Sequence, residues 1–254
     1  MKAKLRQALA VALLCLADDE LILGHRDSEW CGYAPILEED IAFANIALDE
    51  IGHAALWYRE IAELTGRDPD AFPDQLVYSR TADEFCCVQL VEYPRGDWAY
   101  SMLRQYLFDS AELLRLQRLT TSQYQPVALV AQKITREEIY HLRHTQAWIT
   151  RLGLGTIESH QRLQTALDEL WAPAQELFMP LPGEKSLVEA GLLPDSLLLL
   201  TAWREQVQKQ LQQINLHIPT VEQYPDDRSE HTPHLEVLLR ELQSVARSDP
   251  LAEW

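Results

Sequence analysis

Glu50-Ile51-Gly52-His53 and Glu138-Ile139-Tyr140-His141 are the two stretches on which the reading of this chain turns. A spacing of three puts a carboxylate and an imidazole on one face of a helix, a turn apart. The rest of each face is apolar. Phe43, Ile46, Ala47, Trp57 and Ile61 extend the stripe of Glu50 and His53, while Val127, Ile134, Leu142 and Ile149 extend that of Glu138 and His141. Thirty positions before Glu50 stands Glu20, in line with Leu9, Leu13, Leu16 and Leu23. Twenty-nine before Glu138 stands Asp109, in line with Met102, Tyr106, Leu113 and Leu116.

Six ionisable groups therefore face inward from four helices. An unpaired buried carboxylate costs several kcal/mol, so four in one core need compensation. A pair of divalent cations supplies it. Four carboxylates and two imidazoles on two Glu-x-x-His helices form the ligand set of di-iron and di-manganese carboxylate bundles, and hard oxygen donors with imidazole suit iron or manganese. The candidate ligands are Glu20, Glu50, His53, Asp109, Glu138 and His141. Glu112, one turn after Asp109, competes for the third-helix position, and a hydrogen-bonded network without metal competes with the cations. Asp18, Asp19, Glu38, Glu39, Asp49 and Glu137 fall off the stripes and read as solvated helix charges. His144 reads as a surface or interface histidine.

The expected fold is all-α: a ferritin-like four-helix bundle with a long crossover between helices two and three and additional helices at the C-terminal end. Helix one spans about Lys4 to Gly24, and the loop Asp27–Pro35 leads to helix two, about Ile36 to Leu64. Residues 65–96 carry Pro69, Pro73 and Pro94 around a short helix at Thr81–Val91. Asp97 caps helix three, about Trp98 to Thr121. Pro126 opens helix four, which ends near Leu152-Gly153. Further helices cover about Ile157–Leu177, Asp195–Asn215 and Pro233–Arg247, and the polar stretch 218–233 reads as a flexible loop. Residues 1–254 are expected to form a single ferritin-like domain, with a core bundle over about 4–152 and added helices over about 157–254. Heights agree. Asp109 lies about a dozen residues before the end of helix three and Glu138 a dozen after Pro126, roughly 18 Å of climb each.

Composition excludes other classes. The 254 residues hold 22 Lys+Arg against 39 Asp+Glu, a net charge of −17, with only 9 glycines. That balance speaks against nucleic acid, which needs clustered cations, and against anionic lipid. The basic, then apolar, start at Met1–Ala17 imitates a signal peptide, but Leu14 before Cys15 is no processing site and the leucines keep helical spacing. No run is long enough to span a membrane. Cys15, Cys31, Cys86 and Cys87 form no C-x-x-C pair, which excludes the common zinc and iron–sulfur spacings. A reducing, cytoplasmic setting fits them best.

Several stretches carry a family resemblance: Leu16-Ala17-Asp18, Arg26-Asp27-Ser28-Glu29-Trp30-Cys31-Gly32, Leu37-Glu38-Glu39-Asp40-Ile41-Ala42, Tyr140-His141-Leu142-Arg143-His144, Trp148, and Arg151-Leu152-Gly153 followed by Gly155-Thr156-Ile157-Glu158-Ser159. Over about residues 10–180 the chain resembles the PaaC subunits of bacterial phenylacetyl-CoA epoxidase. The resemblance implies a subunit of a multicomponent aromatic-ring monooxygenase that uses oxygen and electrons from an NADPH-dependent flavin/iron–sulfur reductase. It implies pairing with a PaaA-type subunit that carries the working di-iron site, this chain being the structural partner. PaaC subunits are degenerate at the metal positions, whereas all six candidates here match the catalytic sister's pattern. A second expectation is therefore an oxygenase or oxidase in its own right, with two iron or manganese ions. A metal-free helical scaffold is the third.

Overall fold

The computed structural model describes residues 1–220 and 228–249, and helices are the regular structure among them. Four long helices make the bundle: α1 (Ala3–Ser28), α2 (Leu37–Thr65), α5 (Trp98–Leu119) and α6 (Gln125–Gly153). Between α2 and α5 lie α3 (Phe72–Ser79) and α4 (Gln89–Glu92), flanking a 3-10 turn at Ala82–Glu84. Beyond the bundle come α7 (Ile157–Ala174), α8 (Glu184–Glu189), α9 (Ser196–Gln213), α10 (Pro233–Leu242) and α11 (Ser244–Ser248).

The apolar stripes assemble the bundle. Leu9, Leu13, Leu16 and Leu23 of α1, Phe43 and Trp57 of α2, Met102 and Leu116 of α5, and Val127, Ile134 and Ile149 of α6 are all buried. Each such side chain contributes roughly 1.5–3 kcal/mol on leaving water. α1 packs antiparallel to α2, and α5 antiparallel to α6. At one end the rings of Trp30, Phe43, Trp98 and Trp148 meet around Trp98, at centroid distances of 4.9 to 5.4 Å. Since α2 and α5 both start there, the chain leaving α2 at Thr65 runs back along the bundle before α5 begins. α7 and α9 cover the outside of α5, where Trp203 stacks on Trp171 and donates its ring N–H to Ser110 Oγ at 2.8 Å.

Asp97 caps α5 as expected, accepting from the Tyr100 amide, and Asp195 caps α9, accepting from the Leu197 and Leu198 amides. Elsewhere the structure corrects the expectation. Gly24 does not stop helix one; α1 continues to Ser28, and Gly24 packs directly against α2. A Cβ there would lie 2.9 Å from Glu50 Cβ and 3.0 Å from the Ala47 carbonyl. Gln175–Phe178 is a 3-10 turn, not the end of a helix, and the last helix breaks at Gln243. The helix expected at Thr81–Val91 is instead the 3-10 turn followed by α4, and α3 and α8 were not foreseen. Of the 218–233 stretch, residues 221–227 lie outside the described residues.

The largest correction concerns Asp18 and Asp19, expected in water and found fully buried. The long connection and the C-terminal segment cover the side of α1 that faces away from the bundle, and each acid meets an arginine from that cover. Arg80 donates to both oxygens of Asp18, at 2.6 and 2.9 Å, and Arg228 to Asp19 at 2.9 Å.

Candidate metal centre

Glu50 and Glu138 stand between the two histidines. His53 Nδ1 lies 3.5 Å from Glu50 Oε2 and 3.6 Å from Glu138 Oε1; His141 Nδ1 lies 3.3 Å from Glu50 Oε1 and 2.9 Å from Glu138 Oε1. Glu20 closes the His53 side, its Oε2 3.7 Å from Nδ1. The imidazole centroids are 5.8 Å apart, and all five groups are buried. Two sets of potential ligands share Glu50: Glu20, Glu50 and His53, and Glu50, Glu138 and His141.

Asp109 is beside these sets and not within either. Thr145 Oγ1 donates to its Oδ2 at 2.8 Å, and Gln105 Nε2 donates both to Asp109 Oδ1 at 2.8 Å and to Glu50 Oε1 at 2.7 Å. Gln105 thus links the third-helix acid to the centre. Glu112, its rival, is equally buried but forms an ion pair with Arg115, which in turn donates to the Leu177 carbonyl.

The outer ring nitrogens have partners that the sequence reading missed. His53 Nε2 is 2.8 Å from Glu137 Oε2, and His141 Nε2 is 3.3 Å from Asp49 Oδ2. Each acid immediately precedes the glutamate of one motif and holds the histidine of the other. A proton held on Nε2 in this way leaves the Nδ1 lone pair facing inward, which is how metal-ligating histidines are oriented. The equal offset of Asp49 and Glu137 from their motifs was the visible signal.

The donors fit a cation by what they leave undone. Both Glu20 oxygens, one oxygen each of Glu50 and Glu138, and His53 Nδ1 are buried without a hydrogen-bond partner, a costly state for polar atoms. A second cluster shows the contrast. In Cys87, Glu92 and His231, both Glu92 oxygens are engaged, by His231 Nδ1 and the Thr232 amide, each at 2.6 Å, and His231 Nε2 donates to the Phe85 carbonyl at 3.0 Å. That cluster ties the C-terminal segment to α4 and asks for nothing further.

Titration follows the same geometry. Burial, then the neighbouring Glu50 charge, pushes Glu20 well up and Glu138 up to about 7. Burial and the Glu138 charge push Asp109 well up. Burial alone would lower both histidines, but the surrounding carboxylates win, raising His53 to about 9 and His141 well above its usual range. Only Glu50 goes down: burial would raise it, but the neighbouring Glu20 carboxyl and the two imidazoles beside it favour its charged form. Without a cation the centre holds protons that a cation would displace.

A helical bundle that gathers two Glu-x-x-His pairs and two further acids into its core is a carboxylate-bundle protein of the ferritin-like class. The chain belongs to the phenylacetic acid catabolic protein family, whose model matches residues 1–254. It is 36% identical over 248 residues to the C subunit of 1,2-phenylacetyl-CoA epoxidase from Escherichia coli (strain K12), covering 97% of this chain and 99% of that relative. To the A subunit of the same enzyme it is 26% identical over 164 residues, covering 65% of this chain and 52% of that relative.

Proposed function

We propose that this chain is the C-type subunit of a phenylacetyl-CoA epoxidase, pairing with an A-type subunit in which the aromatic ring is oxygenated. The observation that carries this reading is the match to the C-type relative along nearly the whole of both chains. The reductase that would feed the complex is of the flavin/iron–sulfur class, and the setting is the cytoplasm. Among the described residues no helix is long and apolar enough to cross a membrane.

Glu20, Glu50, His53, Asp109, Glu138 and His141 would hold two iron or manganese ions. Ions so held supply Lewis acidity and, if iron, redox capacity. The chain's own residues do the rest. Glu137 and Asp49 keep the Nε2 protons, Thr145 and Gln105 fix Asp109, and the surrounding apolar side chains exclude water. Two surface clefts reach the site, and both meet its outer edge, at His53 with Glu137 and at His141 with Asp49. They open onto the protonated ring edges, away from the convergence of the carboxylates. This supports a stabilising core over turnover in this subunit, as does the net charge of −17, which disfavours an anionic CoA ester.

Co-expression with the A-type subunit is expected to yield a stable complex, and the isolated chain to leave phenylacetyl-CoA unchanged; recovery of free chains alone would reject the reading. Elemental analysis with anomalous diffraction, on protein purified without chelator, tests the centre. Absence of iron and manganese would reject the metal assignment while leaving the subunit role standing.

A further inference from the structure

The outer faces of α2 and α6 carry a regular pattern of exposed apolar and basic residues. On α2, Leu37, Ile41, Leu48 and Gly52 recur along one face, and Leu37 and Leu48 keep 70% and 66% of their surface in water. On α6, Leu129, Lys133, Arg136, Tyr140 and Arg143 recur at spacings of four and three, all exposed. This is the spacing at which one helix presents a seam to another. The two clefts run between these faces and share Asp49 and Glu137.

Charge says what the surface wants. The chain has a large excess of acid, yet among the described residues Lys133, Arg136 and Arg143 form no ion pair with it. The acids that line the same clefts are already engaged, Asp49 with His141 and Glu137 with His53. A second copy of this chain is a poor occupant, because an isologous pairing repeats the same cationic patch on both sides of its axis.

Gly52 adds an independent observation. A mid-helix glycine is disfavoured against alanine, and a Cβ here would meet nothing within 4 Å. Among the described residues nothing requires the missing side chain. A neighbouring backbone that approaches α2 at this point would require it.

We infer that the α2/α6 face binds a different protein chain through a helix that carries apolar residues at heptad spacing flanked by carboxylates, laid along the groove over Gly52. This deepens the proposed function, and rests on it, by assigning that surface to the A-type subunit. Docking there also covers both clefts and closes the Asp49 and Glu137 edge of the centre to solvent.

The test measures affinity of the full-length chain for the A-type subunit by titration, with circular dichroism and melting of each isolated variant alongside. Gly52→Leu and Leu48→Asp are expected to melt at or above, and near, wild type respectively, and each to weaken binding at least a hundredfold. Lys133→Glu/Arg136→Glu/Arg143→Glu is expected to weaken binding at least tenfold and to abolish its salt dependence. Val237→Asp, an exposed change on α10, should leave binding unchanged. If Gly52→Leu and Leu48→Asp bind as wild type does, the surface assignment falls and the subunit reading stands. If wild type binds no A-type subunit, both fall. Self-association of the isolated chain that Gly52→Leu abolishes would name a second copy as the occupant and overturn the inference.

Discussion

His53 and His141 are each held from two sides, by an inner pair of glutamates and by one outer acid borrowed from the facing helix. Removing an outer partner typically costs ten- to a hundredfold in metal affinity. Glu137→Gln and Asp49→Asn are therefore expected to bind iron or manganese that much more weakly in a competition titration, while Glu138→Ala loses it. The metal-free protein should also lose stability as pH rises. His53 is raised to about 9 from an ordinary value of 6.5, so its contribution is complete below about 6.5 and gone above about 9. Glu138, raised to about 7, holds a proton in the folded state that the unfolded chain has already released, so its contribution falls as pH climbs from about 4.5 to 7. Both signs agree. Denaturation midpoints of metal-free protein should drop from pH 6 to pH 9, and a rise would contradict the assignment of charges. The burial of the six candidate residues was legible because periodicity places them on apolar stripes. The partners of Asp49, Glu137 and Gln105 were not, because each reaches a residue on another helix: the offset of the two acids marks them out, but no single-helix pattern records a partner across a gap.

At the scale of elements, the four bundle helices and the Asp97 cap of α5 were legible because stripes and capping residues are local. Gly24 was misread for the same reason: locally a glycine after an apolar run is a stop, and only the crossing with α2 reveals it as a point of contact. Gly24→Ala should improve helix propensity yet push α2 away at Glu50. The expected result is a chain that stays helical by circular dichroism but binds metal more weakly, and unchanged affinity would show that the contact yields. α3 and α8 are short and lean on the bundle, so no propensity window isolates them. The buried acids of α1 belong here too. Removing one partner of a buried pair costs about 3–5 kcal/mol because the other charge is left uncompensated. Arg80→Met, which strands Asp18 and its bonds to Tyr58 and the Cys86 amide, should lower the denaturation midpoint by an amount of that order.

For the molecule as a whole, a cation bound only by the folded state stabilises by about 2.7 kcal/mol at a hundredfold excess over Kd. In a chain of this length that is about 5–10 °C in melting temperature. Chelation is expected to lower the melting temperature by that much, restored by iron or manganese; no shift on chelation would mean that the fold does not depend on the ion.

Asp18, Asp19 and Glu20 are consecutive, and the helical turn of α1 sends them in three directions: to the connection through Arg80, to the C-terminal segment through Arg228, and into the carboxylate cluster. The scaffold therefore cannot be excised by trimming. A shortened polypeptide ending after Gly153 would keep every candidate ligand, yet it would leave the buried Asp19 without its arginine one residue from Glu20, so the minimal four-rod core that the sequence outlines should not fold autonomously around its ions.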